Sequence, residues 1–287
     1  MMLDVNDIPL SDSEFERVRR RLYEQAGISL SESKRTLVVA RLSRMVRTRN
    51  LGSFGALLDR LEGQSDPVEE QEFVNALTTN LTRFWREEHH FTHLVSYVGE
   101  LMKMRPDKRL RIWSADCSTG QEPYTIALCL LAAYPDLRRW DFKILATDID
   151  TAVLAKAAAA TYPVSETAGL SAERRALFED VEGGRVRVPA AAARLISFKP
   201  LNLMAPWPMS GPFDAIFCRN VTIYFDRGTQ HDVFSRLAAI LRPSGFLYIG
   251  HSEHVDAGTT GLKLVGKTVY QARGSKMPAS ANERGAA

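Results

Sequence analysis

Between Leu110 and Tyr124 the chain reads LRIWSADCSTGQEPY, and this stretch more than any other restricts what it can fold into. An apolar, β-favouring run at Leu110, Ile112 and Trp113 stops at small and polar residues. Gly120, Gln121, Glu122 and Pro123 then lead into an apolar helical segment. That order specifies a strand, a glycine-containing turn and a helix start, the unit in which open α/β sheets present free backbone N–H groups to a nucleotide. A second strand is expected over 143–147. It ends on Asp148, where a carboxylate can accept hydrogen bonds from ribose hydroxyls. No G-x-G-x-x-G follows the first strand, which counts against a nicotinamide-dependent oxidoreductase.

Downstream, strands and helices alternate, which predicts a parallel sheet with helices on both faces. The strands are expected at 110–115, 143–147, 195–199, 213–218, 245–250 and 262–271, with helices near 122–133, 151–159 and 229–241. The apolar runs Phe246–Gly250 and Leu262–Ala272 have no room for a crossover helix between them, so an antiparallel ending is expected. Leu241–Gly245 (LRPSG) reads as a tight helix-to-strand turn. Residues 160–194 fit the alternation poorly and read as a small insertion, with helix-like Ala172–Phe178 and a ribbon at Arg185–Val188.

Residues 11–78 read as helices throughout. Ser11 or Ser13 caps a helix that Gly27 stops. A second runs from about Ser31 to Arg49, with Val38, Leu42, Met45 and Val46 on one face and Arg41, Arg44 and Arg47 on the other. Asp66–Pro67 opens another. The segment Thr78–Arg86 (TTNLTRFWR) breaks the helical pattern with polar, β-branched and aromatic residues together, and a helix returns over Glu87–Lys103. The organisation expected is a helical domain over 1–78, a linker and connecting helix over 79–106, an α/β domain over 107–273 with an insertion at about 160–194, and a disordered tail over 274–287.

With 287 residues, 45% of them hydrophobic and 25% charged, the composition is that of an ordinary globular protein. No apolar run is long enough to span a membrane, and the start MMLDVNDIPL lacks a basic region before an apolar core, so a cytoplasmic protein without membrane insertion is expected. Cys117, Cys129 and Cys218 have no metal-type spacing and read as reduced thiols. A net charge of +3 gives no argument for nucleic acid. His89 and His93 stand at metal-ligand spacing on a helix, but no third ligand accompanies them, and both read as structural. His251 lies at a strand end and reads as part of a turn.

Phe213–Asp226 reads FDAIFCRNVTIYFD, an apolar strand delivering Arg219 and Asn220 to the carboxyl edge of the sheet, where ligands of open α/β folds bind. With TTNLTRFWRE, IWSADCSTGQEPY, ILATDID and GFLYIGHSEH, this chain resembles the chemotaxis receptor methyltransferases of the CheR family over roughly residues 11–272. The resemblance implies an all-α N-terminal domain and a Rossmann-like methyltransferase sheet carrying a small inserted β-subdomain. It implies S-adenosylmethionine (SAM) as methyl donor, S-adenosylhomocysteine as product, and glutamates of chemoreceptor cytoplasmic helices as acceptors. By the same resemblance, the cofactor residues fall at Asn80, Thr82, Arg86, Glu122, Asp148, Asn202, Leu203, Arg219 and Asn220, and Tyr224 lies near the transferred methyl.

A glutamate with a pKa of about 4.3 is ionised at neutral pH and needs no general base. Aligning it with the methyl in a water-poor site supplies most of the acceleration, on the order of 7–11 kcal/mol from orientation. Arg86, with its bidentate fork, is the expected holder of the acceptor carboxylate, and Tyr224 a positioning hydroxyl. The resemblance implies that the family usually carries glycine or another small residue at the position of Asp116, whose carboxylate could crowd the methionine end or pair with its ammonium. A SAM-binding sensor or docking module that has lost transfer through Asp116 is the competing reading. Arg41, Arg44 and Arg47 are expected to meet acidic receptor helices. The connection Glu179–Arg185, a few residues shorter than in tail-binding members of that family, predicts independence from a receptor C-terminal tail tether.

Overall fold

A computed structural model describes residues 8–63 and 66–273; the expected disordered tail lies outside them. Four helices, α1 (Asp12–Ala26), α2 (Arg35–Thr48), α3 (Phe54–Gly63) and α4 (Pro67–Leu77), enclose an apolar centre containing Phe15, Leu22, Leu42, Phe54 and Phe73. Their ends follow from local chemistry. Ser11 accepts from the Glu14 N–H while Glu14 reaches back to the Ser11 N–H, a reciprocal cap. Gly27, at φ 70°, closes α1 by donating to the Tyr23 carbonyl. Asp66 caps α4, with Pro67 at the first position. The expected apolar face of α2, Val38, Leu42, Met45 and Val46, is buried.

After an irregular linker, α5 (His89–Met104) packs on α6 (Gln121–Ala133) against a seven-stranded sheet. Its strands are β1 (Arg109–Ser114), β2 (Asp141–Asp148), β6 (Ile196–Pro200), β7 (Phe213–Cys218), β8 (Leu241–Ile249), β9 (Leu262–Gly266) and β10 (Val269–Ala272), in spatial order β6-β2-β1-β7-β8-β10-β9. The first five in that order are parallel, and β10 pairs antiparallel with both β8 and β9. Helices α7 (Thr151–Ala158) and α10 (Arg227–Ala239) and the single turn α11 (Ala257–Thr260) complete this domain. Strand order reverses beside β1, between β2 and β7. The crevice of a doubly wound sheet opens there, at the strands' carboxyl ends.

The run expected as one strand over 262–271 is a hairpin, because Lys267 and Thr268 turn the chain between β9 and β10. LRPSG is not a turn. It opens β8, whose pairing with β7 shifts register between Phe213 and Ala215. Residues 160–194 form a separate three-stranded sheet ordered β3 (Thr161–Pro163), β5 (Arg185–Arg187) and β4 (Glu179–Val181), with single turns α8 (Ala172–Arg175) and α9 (Ala190–Ala193). The supposed connection Glu179–Arg185 is therefore strand β4 and a hairpin turn at Glu182–Gly184, both glycines having positive φ. The ribbon expected at Arg185–Val188 is β5, whereas β3 and β4, three residues each, carry too short a periodicity to be read from sequence.

Candidate active site at the carboxyl edge of the sheet

Where β1 ends, backbone hydrogen bonds pass the chain between its neighbours: Ala115 N–H donates to Phe217 and Cys117 N–H to Thr147. Ser118 then adopts φ 47° and Gly120 φ 95° before α6 begins. Asp148 holds this turn, one oxygen accepting the Ser118 N–H at 2.7 Å and the other the Asp150 N–H at 2.8 Å. Burial pushes Asp148 up to about 6 against the pull of those two donors. The Asp116 carboxyl is hydrogen-bonded to Asp148 and pushed well above the usual range by burial and by the Asp148, Glu122 and Glu253 carboxylates.

Two chambers meet here. The wider, about 440 Å³, has an apolar wall from the N-terminal domain (Ala26, Leu30, Leu37, Leu77) facing Asp148, Ile149, Asn202 and Leu203. Contacts spanning the two domains keep it closed on that side: Ser29 N–H to the Tyr224 carbonyl at 2.8 Å, Asn202 Nδ2 to Gln25 O at 2.6 Å and Gln71 Nε2 to Ile149 O at 2.8 Å. The narrower, about 120 Å³, is polar and is lined by Thr82, Arg86, Glu122, Arg219 and Asn220. Thr79, Asn80, Asp116, Ile223 and Tyr224 line both chambers and form the neck between them.

Below the polar chamber lies a buried ion network. Arg219 Nη1 donates to Glu122 at 2.9 Å, Nη2 donates to the Arg86 carbonyl and lies 3.4 Å from Glu87, and the guanidinium sits over the Phe91 ring. Glu122 accepts from Ser114 Oγ at 2.8 Å. Burial nevertheless raises it. For Glu87 burial acts upward too, but Arg219 and His251 at 2.7 Å outweigh it and hold it low. Both Trp85 (φ 54°) and Glu87 (φ 57°) occupy the left-handed region, a backbone cost tolerated where the surroundings over-determine the turn.

All the cofactor residues expected from sequence line one chamber or both, yet several are less available than their types imply. Asn202 spends one amide hydrogen on Gln25 O, and its oxygen accepts the Met204 N–H at 2.9 Å. Asn80 donates to Asp150 at 2.8 Å, and its carbonyl accepts from Ser118 Oγ. Arg219 faces inward to carboxylates. Arg86 is different: Nη1 donates to the Leu81 carbonyl at 2.7 Å, and no carboxylate partners the guanidinium among the described residues. Arg41 departs from the expected exposed stripe. It is half-buried and donates to the Thr78 carbonyl at 2.5 Å, tying α2 to the linker, while Arg44 and Arg47 are exposed.

The histidines are structural: His93 meets the Tyr248 hydroxyl at 2.9 Å, His89 the Lys267 carbonyl at 3.0 Å and His90 the Thr268 hydroxyl at 2.8 Å. Burial holds the Cys117 and Cys218 thiols well above their ordinary range, which removes the thiolate a nucleophile needs. Sequence reasoning missed Glu253. Its Oε2 accepts the N–H groups of Gly250 (2.5 Å) and Asn220 (2.8 Å), and its Oε1 accepts those of Val221 (3.0 Å) and Thr222 (2.8 Å) and the Thr222 hydroxyl (2.8 Å). This clamp holds Asn220 at φ 62° and so aims the loop that carries Tyr224. Its signals in the sequence are an acid four residues past a strand end and its place inside the GFLYIGHSEH motif.

An apolar chamber with a ribose-type acid, joined through an acidic neck to a polar chamber, fits an elongated nucleoside joined to a charged amino acid. On a seven-stranded sheet with its switch point at the same place, this defines a SAM-dependent methyltransferase. Residues 80–271 match the CheR methyltransferase SAM binding domain and residues 13–78 the CheR methyltransferase all-alpha domain. The chain belongs to the CheR methyltransferase family. It is 45% identical over 265 residues to chemotaxis protein methyltransferase 2 of Pseudomonas aeruginosa, covering 90% of this chain and 92% of that protein. It is 47% identical over 240 residues to a probable chemotaxis protein methyltransferase of Rhizobium etli, covering 82% and 90%. With the chemotaxis protein methyltransferase of Salmonella typhimurium it shares 43% over 271 residues, covering 92% and 91%. Among the described residues, no helix is long and apolar enough to cross a membrane.

Proposed function

We propose that this methyltransferase esterifies glutamate side chains on the cytoplasmic helices of chemoreceptors. The observation that carries the reading is Arg86, a cation beside the neck, fastened by one nitrogen and without a carboxylate partner among the described residues. A planar guanidinium in that condition suits an incoming carboxylate, which it grips bidentately. Bound SAM supplies an electrophilic methyl on a cationic sulfonium. Asp148 and Asn80 hold the nucleoside end, and Glu122, set by Ser114 and Arg219, faces the amino-acid end. Tyr224 at the neck orients the acceptor. The acceptor is already ionised at neutral pH, and the chain assigns no side chain to remove a proton. Excluding water and aligning the two reactants is its contribution.

Receptor recognition is assigned to the exposed Arg44 and Arg47 of α2, with Arg41 bracing that helix, and acidic receptor helices are the complementary surface. Methylation is proposed to proceed without a receptor-tail tether, since residues 179–185 are taken up by β4, the tight Glu182–Gly184 turn and the start of β5. Transfer of labelled methyl from SAM to a receptor cytoplasmic fragment tests the chemistry. Base treatment should release the label as methanol, as an ester requires, and base-stable label would exclude a carboxylate acceptor. Rates should fall steeply with added salt and stay nearly unchanged when the receptor's extreme C-terminus is removed. Micromolar binding of an isolated tail peptide would overturn tether independence.

A further inference from the structure

The neck between the chambers contains one acidic side chain, Asp116, and it is set among carboxylates from three other elements. Asp148 at the end of β2 is hydrogen-bonded to it, and Glu122 on α6 and Glu253 beyond β8 act on it electrostatically. The cations lining the chambers are Lys34 on the wide side and Arg83, Arg86 and Arg219 on the narrow side. Of these, Arg219 is already paired to Glu122 and close to Glu87. In this setting the Asp116 carboxyl is pushed toward its neutral form, in which it donates a hydrogen bond to Asp148. Asp148 then has three donors on its two oxygens: the Ser118 and Asp150 N–H groups and Asp116.

SAM and its product differ by one positive charge, and that charge sits on sulfur, between the nucleoside and the amino acid. With the nucleoside in the wide chamber and the amino acid in the polar one, the sulfur lies at the neck. We propose that Asp116 makes this site charge-selective, standing as a carboxylate beside the sulfonium of the donor and as a neutral acid beside the thioether of the product. Donor binding then expels a proton that product binding leaves in place, and the donor is held in preference to S-adenosylhomocysteine. The proposal rests on the placement of the two cofactor ends given above. Contributions common to both ligands, including any competition between Asp116 and the ribose for Asp148, cancel in the comparison.

Calorimetry of the full chain with SAM and with S-adenosylhomocysteine, in buffers of different ionisation enthalpy near neutral pH, counts the protons released. More protons should leave on binding donor than product. Asp116→Asn should abolish that difference and move the ratio of the two dissociation constants toward product by roughly tenfold, the effect of losing one screened charge pair. Asp116→Gly, which removes the same charge with a different fold risk, should move the ratio in the same direction. Equal proton release for both ligands in the unaltered protein would overturn the proposal, as would an unchanged ratio in either folded variant. A failure of the chamber placement is distinguishable: Asp148→Ala would then leave both affinities unaltered.

Discussion

Substituting Glu253 by glutamine tests how the site loop is held. Each carboxylate oxygen serves a distinct group of donors: Oε2 takes Gly250 and Asn220 N–H, and Oε1 takes Val221 and Thr222 N–H and the Thr222 hydroxyl. Glutamine replaces one oxygen by an NH₂, so whichever way the amide turns, at least two N–H donors meet a donor instead of an acceptor. Two hydrogen bonds to a charged group at about 1.5–3 kcal/mol each predict a loss of about 3–6 kcal/mol, at the severe end for a single substitution. Relaxation by opening space is blocked, because Gly250 packs directly on Asn220 and a Cβ there would lie 2.3 Å from its Nδ2. All four tryptophans, Trp85, Trp113, Trp140 and Trp207, lie after residue 78. Urea unfolding followed by tryptophan fluorescence therefore reports on the part of the chain containing Glu253. A shift equivalent to less than about 1 kcal/mol would show that water satisfies these donors and that Glu253 does not set the loop.

Asp148→Ala should weaken S-adenosylhomocysteine binding by about 2–3 kcal/mol through loss of charge-assisted bonds to the ribose, and an unchanged dissociation constant by calorimetry would remove Asp148 from the site. Arg86→Ala should lower turnover strongly, and Arg86→Lys should recover only part of it because the bidentate fork is gone; full activity in the lysine variant would show that charge alone suffices. His90 is fully buried, and burial, aided by Arg219, lowers it to about 2. Its folded pKa is below its unfolded one, so its contribution is intact above about pH 6.5 and is lost as the pH falls, at about 1.4 kcal/mol per unit. The unaltered protein should therefore lose about 2 kcal/mol more than His90→Gln between pH 6.5 and 5, measured by urea unfolding at each pH, and parallel losses would mean His90 protonates freely.

The α/β core was legible because its signals are local. Apolar runs set β1, β2 and β7, Ser11 and Gly27 bound α1, and Asp66–Pro67 starts α4. The order of motifs along the chain was enough to place Asp148, Arg219 and Asn220 at one sheet edge. In the inserted sheet the ribbon at Arg185–Val188 was legible and is β5, but β3 and β4 were missed and the β9–β10 hairpin was read as one strand, since so few residues carry no usable period. What each site residue has left to offer a ligand depended on tertiary contacts. Arg219 reads as a free cation until Glu122, 97 positions away, is found against it. Asn202 reads as a free amide until Gln25, 177 positions away, takes its hydrogen, and Arg41 belongs to an exposed stripe until it reaches Thr78. Residue type and spacing determined which groups arrive at the carboxyl edge. Packing decided which of them are already paired there, because a buried polar group must find its partner wherever the folded chain brings one, at whatever distance in sequence.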